Sequence, residues 1–267
     1  MKRRFHKMHG LGNDFVIVDA RDEPFDVTPA LARAIADRRT GVGCDQLIVL
    51  EPSETADLKM RIWNSDGGEV ESCGNATRCV IQLTGARRID SAGGSLEGED
   101  LGAEVEVSLG EPRFGWEELP LAYAMDTAAL PLAWDGLERP MAVNVGNPHL
   151  VFFVPDARDV PLQEVGPKIE NDPAFPARIN VNVATYVGNH LKLRTFERGA
   201  GETLACGTGA CASAVAAIAS KRAQSPVRVD MTGGHLLVSW APGEPVRMRG
   251  AATHEFEGEL HLEALGA

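Results

Sequence analysis

The chain has 267 residues, of which 44% are hydrophobic and 24% charged, and its formal net charge is −12 at pH 7. This length exceeds the usual size of one domain, so we expect two globular domains. The negative charge argues against a nucleic-acid-binding surface, which needs clustered Lys and Arg. No stretch approaches the ~18 apolar residues of a membrane helix. Five cysteines, an odd number, favour a cytoplasmic location over a secreted disulfide scaffold.

The first half of the chain predicts strands, loops and one early helix. Residues 1–20 predict two strands around a Gly-Asn turn, and Thr28–Arg39 predicts a helix with Thr28 as its N-cap. Apolar runs predict further strands over Leu47–Leu50, Leu58–Trp63 and Ala103–Leu109. Ser91–Gly102 predicts a loop or hairpin tip, and Glu111–Pro131, with its three prolines, predicts a link to a second domain.

The stretch ERGAGETLACGTGACASAVAAIA, at Glu197–Ala219, carries the strongest local signal in the second half. A glycine-rich loop leads to Cys206, and the uncharged segment Ala210–Ala219 predicts a buried helix. The amides that follow Cys206 would then lie at a helix start, where backbone N–H groups attract a carboxylate. The helix dipole predicts a lowered pKa for the Cys206 thiol at that position.

The second half of the chain repeats the first. Asn64–Asn75 aligns without gaps on Glu197–Thr208, and the constant offset between the aligned positions is close to half the chain. Gly12-Asn13-Asp14-Phe15 matches Gly146-Asn147-Pro148-His149 at an offset only one position longer. Two matches at nearly one offset predict two similar domains, each with one cysteine, Cys73 or Cys206, at the start of a buried helix.

Two matched thiols suit the chemistry of a racemase. Ligand sites favour the cleft between domains, where one thiolate would remove a proton and the other thiol would return one to the opposite face. An unperturbed thiol pKa of ~8.5 keeps both protonation states accessible. Two helix starts would stabilise the growing negative charge on the substrate carboxylate. The sequence shows no dinucleotide or Walker motif and no convincing pyridoxal-phosphate lysine, so we expect no cofactor.

Simpler interpretations of the same residues stay open. A single cysteine is more often a buried structural thiol, and only the matched pair Cys73 and Cys206 reverses that preference. A zinc site or a redox pair would favour a CxxC spacing, which this chain lacks. His149 is as readily a structural histidine as a partner for a thiolate. The asparagines suit turns, and Arg198 suits a surface ion pair with Glu197.

Taken together, the motifs resemble those of the diaminopimelate epimerase family, a group of cofactor-independent amino-acid racemases. The matching segments, in chain order, are GLGNDF at Gly10–Phe15, GVGCDQ at Gly41–Gln46, NSDG at Asn64–Gly67, CGNATRC at Cys73–Cys79, GNPH at Gly146–His149, FPARIN at Phe175–Asn180 and ERGAGETLACGTGA at Glu197–Ala210. They span nearly the whole chain, and the last segment is highly specific.

The resemblance implies an α+β fold of two pseudo-symmetric domains. Each would be a curled, mostly antiparallel sheet wrapped around a central helix, with the active site in the cleft between the domains. The N-terminal domain would cover residues 1–113 together with a C-terminal strand at about 254–267, and the C-terminal domain would cover residues 114–253. The resemblance also implies a homodimer, in the biosynthesis of lysine and peptidoglycan precursors.

The resemblance further implies interconversion of LL- and meso-2,6-diaminopimelate, with Cys73 and Cys206 as the two acid/base residues. His149 and Glu197 would help to set the protonation of Cys73 and Cys206 respectively. No metal is implied. The residues implied to meet the substrate are Asn13, Gln46, Asn64, Gly74, Asn75, Asn147, Asn180, Glu197, Arg198, Gly207 and Thr208.

Three rival functions remain at this stage: a proline or hydroxyproline racemase of the same superfamily, a non-catalytic binding protein with the same cleft, and a thiol-redox protein. Asn75 after Cys73-Gly74 disfavours the proline type, and so do the asparagines and Arg198, which suit a second, distal amino-acid head. Retention of both thiols disfavours a protein that only binds.

Overall fold

The computed structural model describes residues 2–71 and 73–265. Its strands are β1 (Lys2–Gly10), β2 (Asn13–Asp19), β3 (Gln46–Glu51), β4 (Leu58–Asn64), β5 (Glu69–Val70), β6 (Arg88–Ser91), β7 (Gly94–Asp100), β8 (Val105–Ser108), β9 (Ala133–Trp134), β10 (Leu137–Glu138), β11 (Met141–Asn144), β12 (Pro148–Phe153), β13 (Asn180–Val187), β14 (His190–Glu197), β15 (Gly201–Thr203), β16 (Val227–Met231), β17 (Gly234–Ser239), β18 (Arg247–Gly250) and β19 (Thr253–His261).

The α-helices are α1 (Pro29–Ala36), α2 (Gly74–Thr84), α3 (Leu162–Glu170) and α4 (Gly207–Ala219). Within the described residues, no helix has the length and apolar character needed to cross a membrane. The chain divides into two compact units. The first unit contains the described residues up to Val107 and from Gly250 onward, and the second contains Ser108–Arg249.

The sheet of the first unit is mostly antiparallel. β1 pairs antiparallel with both β2 and β19, and β2 pairs parallel with β3. β3 pairs antiparallel with β4, which continues antiparallel to β5 and parallel to β6. β6 and β7 form an antiparallel hairpin. The helix α2 packs against β1, β2, β7 and β19, and α1 packs against β3 and β4.

The second unit repeats this pattern of pairings. β11 pairs antiparallel with β12, β12 parallel with β13, and β13 antiparallel with β14. β14 pairs antiparallel with β15 and parallel with β16, and β16 pairs antiparallel with β17. The helix α4 contacts β11, β12, β13, β14, β16 and β17. The predicted α+β fold, with two similar units each built around a central helix, is confirmed.

Residue types explain the helix positions. The side chains of α4 itself are small and mostly apolar on every side of the helix, so the strands pack closely around it. The helix is buried except near its ends. The hydroxyl of Thr28 accepts a hydrogen bond from the Leu31 amide and caps α1, and Pro29 occupies the first turn. Helix α1 buries Leu31 and Ile35 on the face that meets the sheet.

Three predicted elements differ from the structure. The predicted helix Thr28–Arg39 ends at Ala36, because the Asp37 carboxylate accepts hydrogen bonds from the amides of Arg39 and Thr40 and turns the chain. The predicted loop or hairpin tip Ser91–Gly102 contains the turn of the β6–β7 hairpin and also the whole of the mostly exposed strand β7. The predicted link Glu111–Pro131 instead packs into the core of the second unit, where Leu119, Leu121 and Leu130 are buried.

Candidate functional site

The candidate residues of the first unit come together at one end of three neighbouring strands. β2 and β3 are parallel and begin at this end, whereas β4 is antiparallel and finishes there, directly opposite the start of β3. A short turn through β5 then leads to the start of α2. The group of candidate residues at this end, which we call the first half-site, consists of Asn13, Gln46, Asn64, Cys73, Gly74 and Asn75.

Hydrogen bonds hold the Asn13 amide in one orientation. Its Nδ2 donates to a carboxylate oxygen of Asp45 at 2.9 Å, so its Oδ1 is turned toward α2. That oxygen accepts from Nδ2 of Asn75 at 3.3 Å and lies 3.8 Å from Sγ of Cys73. The buried guanidinium of Arg78 donates to Oδ1 of Asn75 at 2.9 Å and fixes that amide in turn. The thiol of Cys73 therefore faces an acceptor oxygen at the N-cap of α2.

Gln46 and Asn64 form the other part of the first half-site. Nε2 of Gln46 donates to Oδ1 of Asn64 at 2.9 Å across the β3–β4 pair. Oε1 of Gln46 is buried and has no hydrogen-bond partner among the residues that the structure describes. A buried amide oxygen without a partner costs free energy, so a ligand N–H is the natural group to satisfy it.

A charged network stands behind Asn13. Arg38 donates to Asp14 at 2.7 Å and to Asp45 at 2.8 Å, and Lys7 donates to Asp14 at 2.5 Å. Burial alone would raise the pKa of the Asp14 carboxyl, but the hydrogen bonds from Arg38 and Lys7 hold that pKa well below its usual range. Asp14 is therefore ionised at neutral pH, and Arg38 links it to the Asp45 carboxylate that orients Asn13.

The candidate residues of the second unit occupy the matching end of its own strands. β12 and β13 begin there in parallel, with His149 opposite Asn180, and β14 ends there before the glycine-rich turn into α4. This group, which we call the second half-site, consists of Asn147, His149, Asn180, Glu197, Arg198, Cys206, Gly207 and Thr208.

Cys206 is the N-cap of α4 and is buried. Its Sγ accepts a hydrogen bond from the Gly209 amide at 3.4 Å and lies 3.6 Å from the Thr208 hydroxyl. Burial and the negative charge of Glu197 raise the pKa of the Cys206 thiol well above its ordinary value, and outweigh the lowering by the two hydrogen bonds. The predicted lowering of this pKa by the helix start is therefore wrong.

Glu197 is itself held in place. Its carboxylate accepts a hydrogen bond from the Thr203 hydroxyl at 2.5 Å, across the β14–β15 hairpin. The negative charge of the same carboxylate raises the pKa of the Cys206 thiol. Glu197 thus influences the Cys206 thiol electrostatically, and its role in catalysis stays a prediction.

His149 is fully buried, and both of its ring nitrogens have partners in the second unit. Nε2 lies 2.8 Å from Oδ1 of Asn147, and Nδ1 lies 3.1 Å from Nδ2 of Asn182. Asn182 uses its Oδ1 to accept from the Thr195 hydroxyl, so its Nδ2 must donate to Nδ1 of the histidine. Burial, reinforced by the positive charge of Arg198, lowers the pKa of His149 to about 3. The imidazole is therefore neutral, with its proton on Nε2; its action on Cys73 stays a prediction.

Asn180 and Arg198 shape the turn that precedes α4. Nδ2 of Asn180 donates to the Pro148 carbonyl at 2.9 Å, and its Oδ1 accepts from the backbone amide of Arg198 at 2.9 Å. The guanidinium of Arg198 donates to the Ala177 carbonyl at 3.1 Å, and the side chain is otherwise exposed. Asn180 thus positions this turn through its backbone contacts, whereas Arg198 keeps further donors for a ligand.

Sequence reasoning missed Asp45, Asn182 and Thr203, which orient Asn13, His149 and Glu197. Asp45 lies inside the GVGCDQ motif, and Asn182 is two positions after Asn180, so its side chain is on the same face of β13. A further signal was available in the repeat, because Gln46 and Asn180 are separated by the same offset as Asn13 and Asn147. Each half-site therefore draws on equivalent strand ends.

Comparison with known proteins identifies the family. A model of the diaminopimelate epimerase family matches residues 5–114 and 141–255. The diaminopimelate epimerase of Rhizorhabdus wittichii is 61% identical over 100% of this chain and 98% of its own length. The diaminopimelate epimerase of Sphingopyxis alaskensis is 60% identical over the whole of both chains.

More distant solved structures share the fold. A hydroxyproline epimerase from Agrobacterium vitis superposes with a TM-score of 0.65 at 14% identity, covering 97% of this chain and 91% of its own. A PhzF-family phenazine biosynthesis protein from Enterococcus faecalis has a TM-score of 0.70 at 13% identity, covering 98% and 100%. These likenesses show the fold alone, whereas the family match and the high identities are decisive: the chain belongs to the diaminopimelate epimerase family.

Proposed function

We propose that this chain is a cofactor-independent epimerase that interconverts LL- and meso-2,6-diaminopimelate. The observation that carries the proposal is the equivalent placement of Cys73 and Cys206, each at the N-cap of the central helix of its unit. Membership of the diaminopimelate epimerase family supplies the substrate class.

The reaction needs one base and one acid on opposite faces of the α-carbon. One cysteine, as thiolate, takes the α-proton and becomes a thiol, and the electron pair stays on the α-carbon and its carboxylate. The other cysteine, as thiol, then donates its proton to the opposite face and is left as the thiolate. Amides at the helix starts, including those of Gly74, Asn75, Gly207 and Thr208, would stabilise the charge that builds on the carboxylate.

Within this scheme Cys206 is the proton donor in the free enzyme. The raised pKa of its thiol, caused by burial and by Glu197, keeps it protonated near neutral pH. Sγ of Cys73 donates a hydrogen bond to Oδ1 of Asn13, so Cys73 must first lose this proton to act as the base. One turnover exchanges the protonation states of the two cysteines, because the base has gained a proton and the acid has lost one, and the reverse reaction starts from this exchanged state.

Polar groups with unused capacity would recognise the rest of the substrate. The buried Oε1 of Gln46 is suited to accept an N–H from a substrate ammonium. The exposed guanidinium of Arg198 is suited to bind a carboxylate through two parallel hydrogen bonds. Asn64 holds the Gln46 amide, and Asn180 holds the backbone of Arg198. Asn13 and Asn147 contact Cys73 and His149 respectively.

We further propose that the enzyme is cytoplasmic and acts as a homodimer in the biosynthesis of lysine and peptidoglycan precursors. The five cysteines are thiols rather than disulfides, which supports a reducing compartment. Sedimentation velocity over a range of protein concentrations tests the dimer, and a monomer at all concentrations would contradict it.

The direct test is incubation of EDTA-treated protein with LL-diaminopimelate, without added cofactor, followed by chiral analysis. We expect a mixture of LL and meso isomers, complete loss of activity in Cys73→Ala and in Cys206→Ala, and retained activity in Cys79→Ala. Cys79 is the matched control, because it lies on α2 but is buried away from the helix start, with its pKa raised to about 12 by burial.

Proline and lysine serve as comparison substrates. Lysine lacks the distal carboxylate and should be a poor substrate if Arg198 binds that group. Efficient racemisation of proline without turnover of diaminopimelate would favour the proline-type rival. Binding of diaminopimelate without any turnover would mean that the chain is only a binding protein.

A further inference from the structure

The first and last strands of the chain place three metal-binding side chains side by side. His6 lies on β1, and His254 and Glu257 lie on β19, which pairs antiparallel with β1. His6 is directly opposite Glu257 in this pairing, so their side chains share one face of the sheet. None of the three belongs to either half-site.

A β-bulge brings His254 to the same face. Lys7 is opposite Phe256 and Met8 is opposite His254, so Glu255 is an extra residue on β19. In a regular strand, positions 254 and 257 would point to opposite faces, because side chains alternate with a period of two. The extra residue reverses that alternation, and His254 joins His6 and Glu257.

The distances among the three potential ligand atoms fit a single cation. Nδ1 of His6 lies 3.2 Å from Nε2 of His254 and 3.4 Å from Oε1 of Glu257. Nε2 of His254 and Oε1 of Glu257 are 3.9 Å apart. In a tetrahedral site with bonds of ~2.0–2.1 Å, ligand atoms lie ~3.3 Å from one another. Shifts of a few tenths of an ångström would therefore bring all three atoms onto one ion, with solvent in the fourth position.

We propose that His6, His254 and Glu257 form a binding site for a zinc-like divalent transition metal. Two imidazoles and one carboxylate suit zinc, nickel or copper, whereas calcium and magnesium prefer sites built from oxygen. The bound ion would link the first strand of the chain to the last. Because the unfolded chain does not hold these residues together, the ion would stabilise the folded first unit.

The alternative is a surface network without a metal, in which the two imidazoles share a hydrogen bond and Glu257 makes an ion pair with His6. Side-chain exposures of 19% for His6, 37% for His254 and 52% for Glu257 allow an ion to enter from solvent. The two interpretations differ in one measurable respect: only a metal site responds to zinc through all three side chains together.

The test is calorimetric titration of zinc chloride into EDTA-treated, tag-free protein, paired with thermal unfolding. We expect wild-type protein to bind one equivalent of zinc at this site. The affinity of that site should be at least tenfold weaker in His254→Ala and in Glu257→Gln. Zinc should raise the unfolding temperature of wild type and raise it less in both variants, and magnesium should have no such effect. Zinc bound by cysteine thiols, rather than by this cluster, would still bind to both variants with wild-type affinity, and this separates the two kinds of site.

His9→Ala is the matched control. His9 is also on β1, and its imidazole pairs with Glu255 at 3.0 Å rather than with the cluster, so this variant should bind zinc as wild type does. His6→Gln provides a third ligand variant in case one of the β19 changes disturbs folding. Equal zinc affinity, stoichiometry and thermal response in wild type and all folded ligand variants would overturn the proposal.

Discussion

The side chain of Asp45 determines which way the Asn13 amide faces. One carboxylate oxygen of Asp45 accepts hydrogen bonds from Nδ2 of Asn13 and from the backbone N–H of Asp14, and Arg38 holds the other oxygen. Without that negative charge, the Asn13 amide would be free to rotate by half a turn and present N–H groups to Cys73.

We therefore expect Asp45→Asn to lower kcat/KM for diaminopimelate at least ~10-fold, equivalent to ~1.4 kcal/mol of lost transition-state stabilisation. Steady-state kinetics would separate the effect on kcat from that on KM, and circular dichroism would check that the variant folds. Asp26→Asn, which changes an exposed carboxylate, is the control. Unchanged kinetics in a folded Asp45→Asn enzyme would show that the Asn13 orientation does not depend on this contact.

The charge of Glu197 raises the pKa of the Cys206 thiol. Since the carboxylate raises the pKa of the thiol, Glu197→Gln should lower that pKa and increase the thiolate fraction at pH 8. Alkylation of Cys206 by iodoacetamide, followed by peptide mass spectrometry, should become severalfold faster. Glu202→Gln is the control, because Glu202 pairs with Arg194 at 2.7 Å on the neighbouring strand. Slower or unchanged alkylation in Glu197→Gln would contradict this role.

His149 makes the stability of the fold dependent on pH. Below its ordinary pKa of 6.5 the unfolded chain binds a proton at this histidine, whereas the folded chain does so only near pH 3. The free energy of unfolding therefore falls as the pH is lowered through this window, by about 2 kcal/mol between pH 7 and pH 5 from this group alone.

Urea unfolding of His149→Gln at pH 7 and pH 5 measures that contribution. The variant has no such titration, so its stability should fall about 2 kcal/mol less than that of wild type over the same interval. His235→Gln, which changes an exposed histidine of the same unit, should keep the wild-type pH dependence. An identical pH dependence in wild type and His149→Gln would mean that the imidazole is not held neutral.

At the level of elements, the start of α4 is packed more tightly than the start of α2. A Cβ on Gly209 would lie 2.6 Å from Oδ1 of Asn182 and 2.9 Å from the Thr195 hydroxyl, both of them buried. The equivalent position in α2, by the alignment of the two cysteine motifs, is Ala76. The glycine is thus required by the network behind His149 rather than by the helix itself.

Gly209→Ala should therefore destabilise the protein by ~1–3 kcal/mol, because the added methyl displaces Asn182 from His149. Urea unfolding at pH 7 provides the measurement. Gly68→Ala is the control: its Cβ would meet only the exposed side chain of Asp66, which is able to move, so a change within ~0.5 kcal/mol is expected. A Gly209→Ala protein as stable as wild type would show that the helix start tolerates repacking.

Elements were predictable where the signal was local. Alternating apolar residues located β4, a threonine before a proline located the start of α1, and an uncharged alanine-rich run located α4. The end of α1 was missed because a side-chain contact of Asp37 decides it. The role of Glu111–Pro131 was missed because its prolines suggest a linker, whereas its spaced leucines are buried only through distant contacts in the second unit.

The positions of the candidate site residues were likewise predictable only where the sequence carries a repeated or local pattern. The duplicated Cys-Gly motif located both helix starts, because it carries the same pattern twice at one offset. The electrostatic environment was not predictable: the pKa of Cys206 depends on how deeply the thiol is buried and on the distance to Glu197, and neither follows from spacing. The contact between β1 and β19 joins residues as far apart as His6 and His254, 248 positions along the chain. No local pattern encodes it, and only the family resemblance placed a C-terminal strand with the first domain.

At the scale of the whole molecule, the proposed mechanism takes one acid/base residue from each of the two repeated units. Each unit supplies one thiol at the N-cap of its central helix and one set of polar side chains at matching strand ends. A chain with only one such unit would have one base, and a one-base enzyme returns the same proton to either face of the carbon. The central claim is therefore that two separate cysteines serve the two faces.

Epimerisation in heavy water tests this claim most directly. Each cysteine exchanges its proton with solvent independently, so product formed early from LL-diaminopimelate should carry deuterium at one α-carbon while the recovered substrate stays mostly unlabelled. Mass spectrometry of the separated isomers at low conversion gives both values. Equal early labelling of substrate and product, or early product without deuterium, would mean that one base serves both faces and would contradict the two-cysteine account.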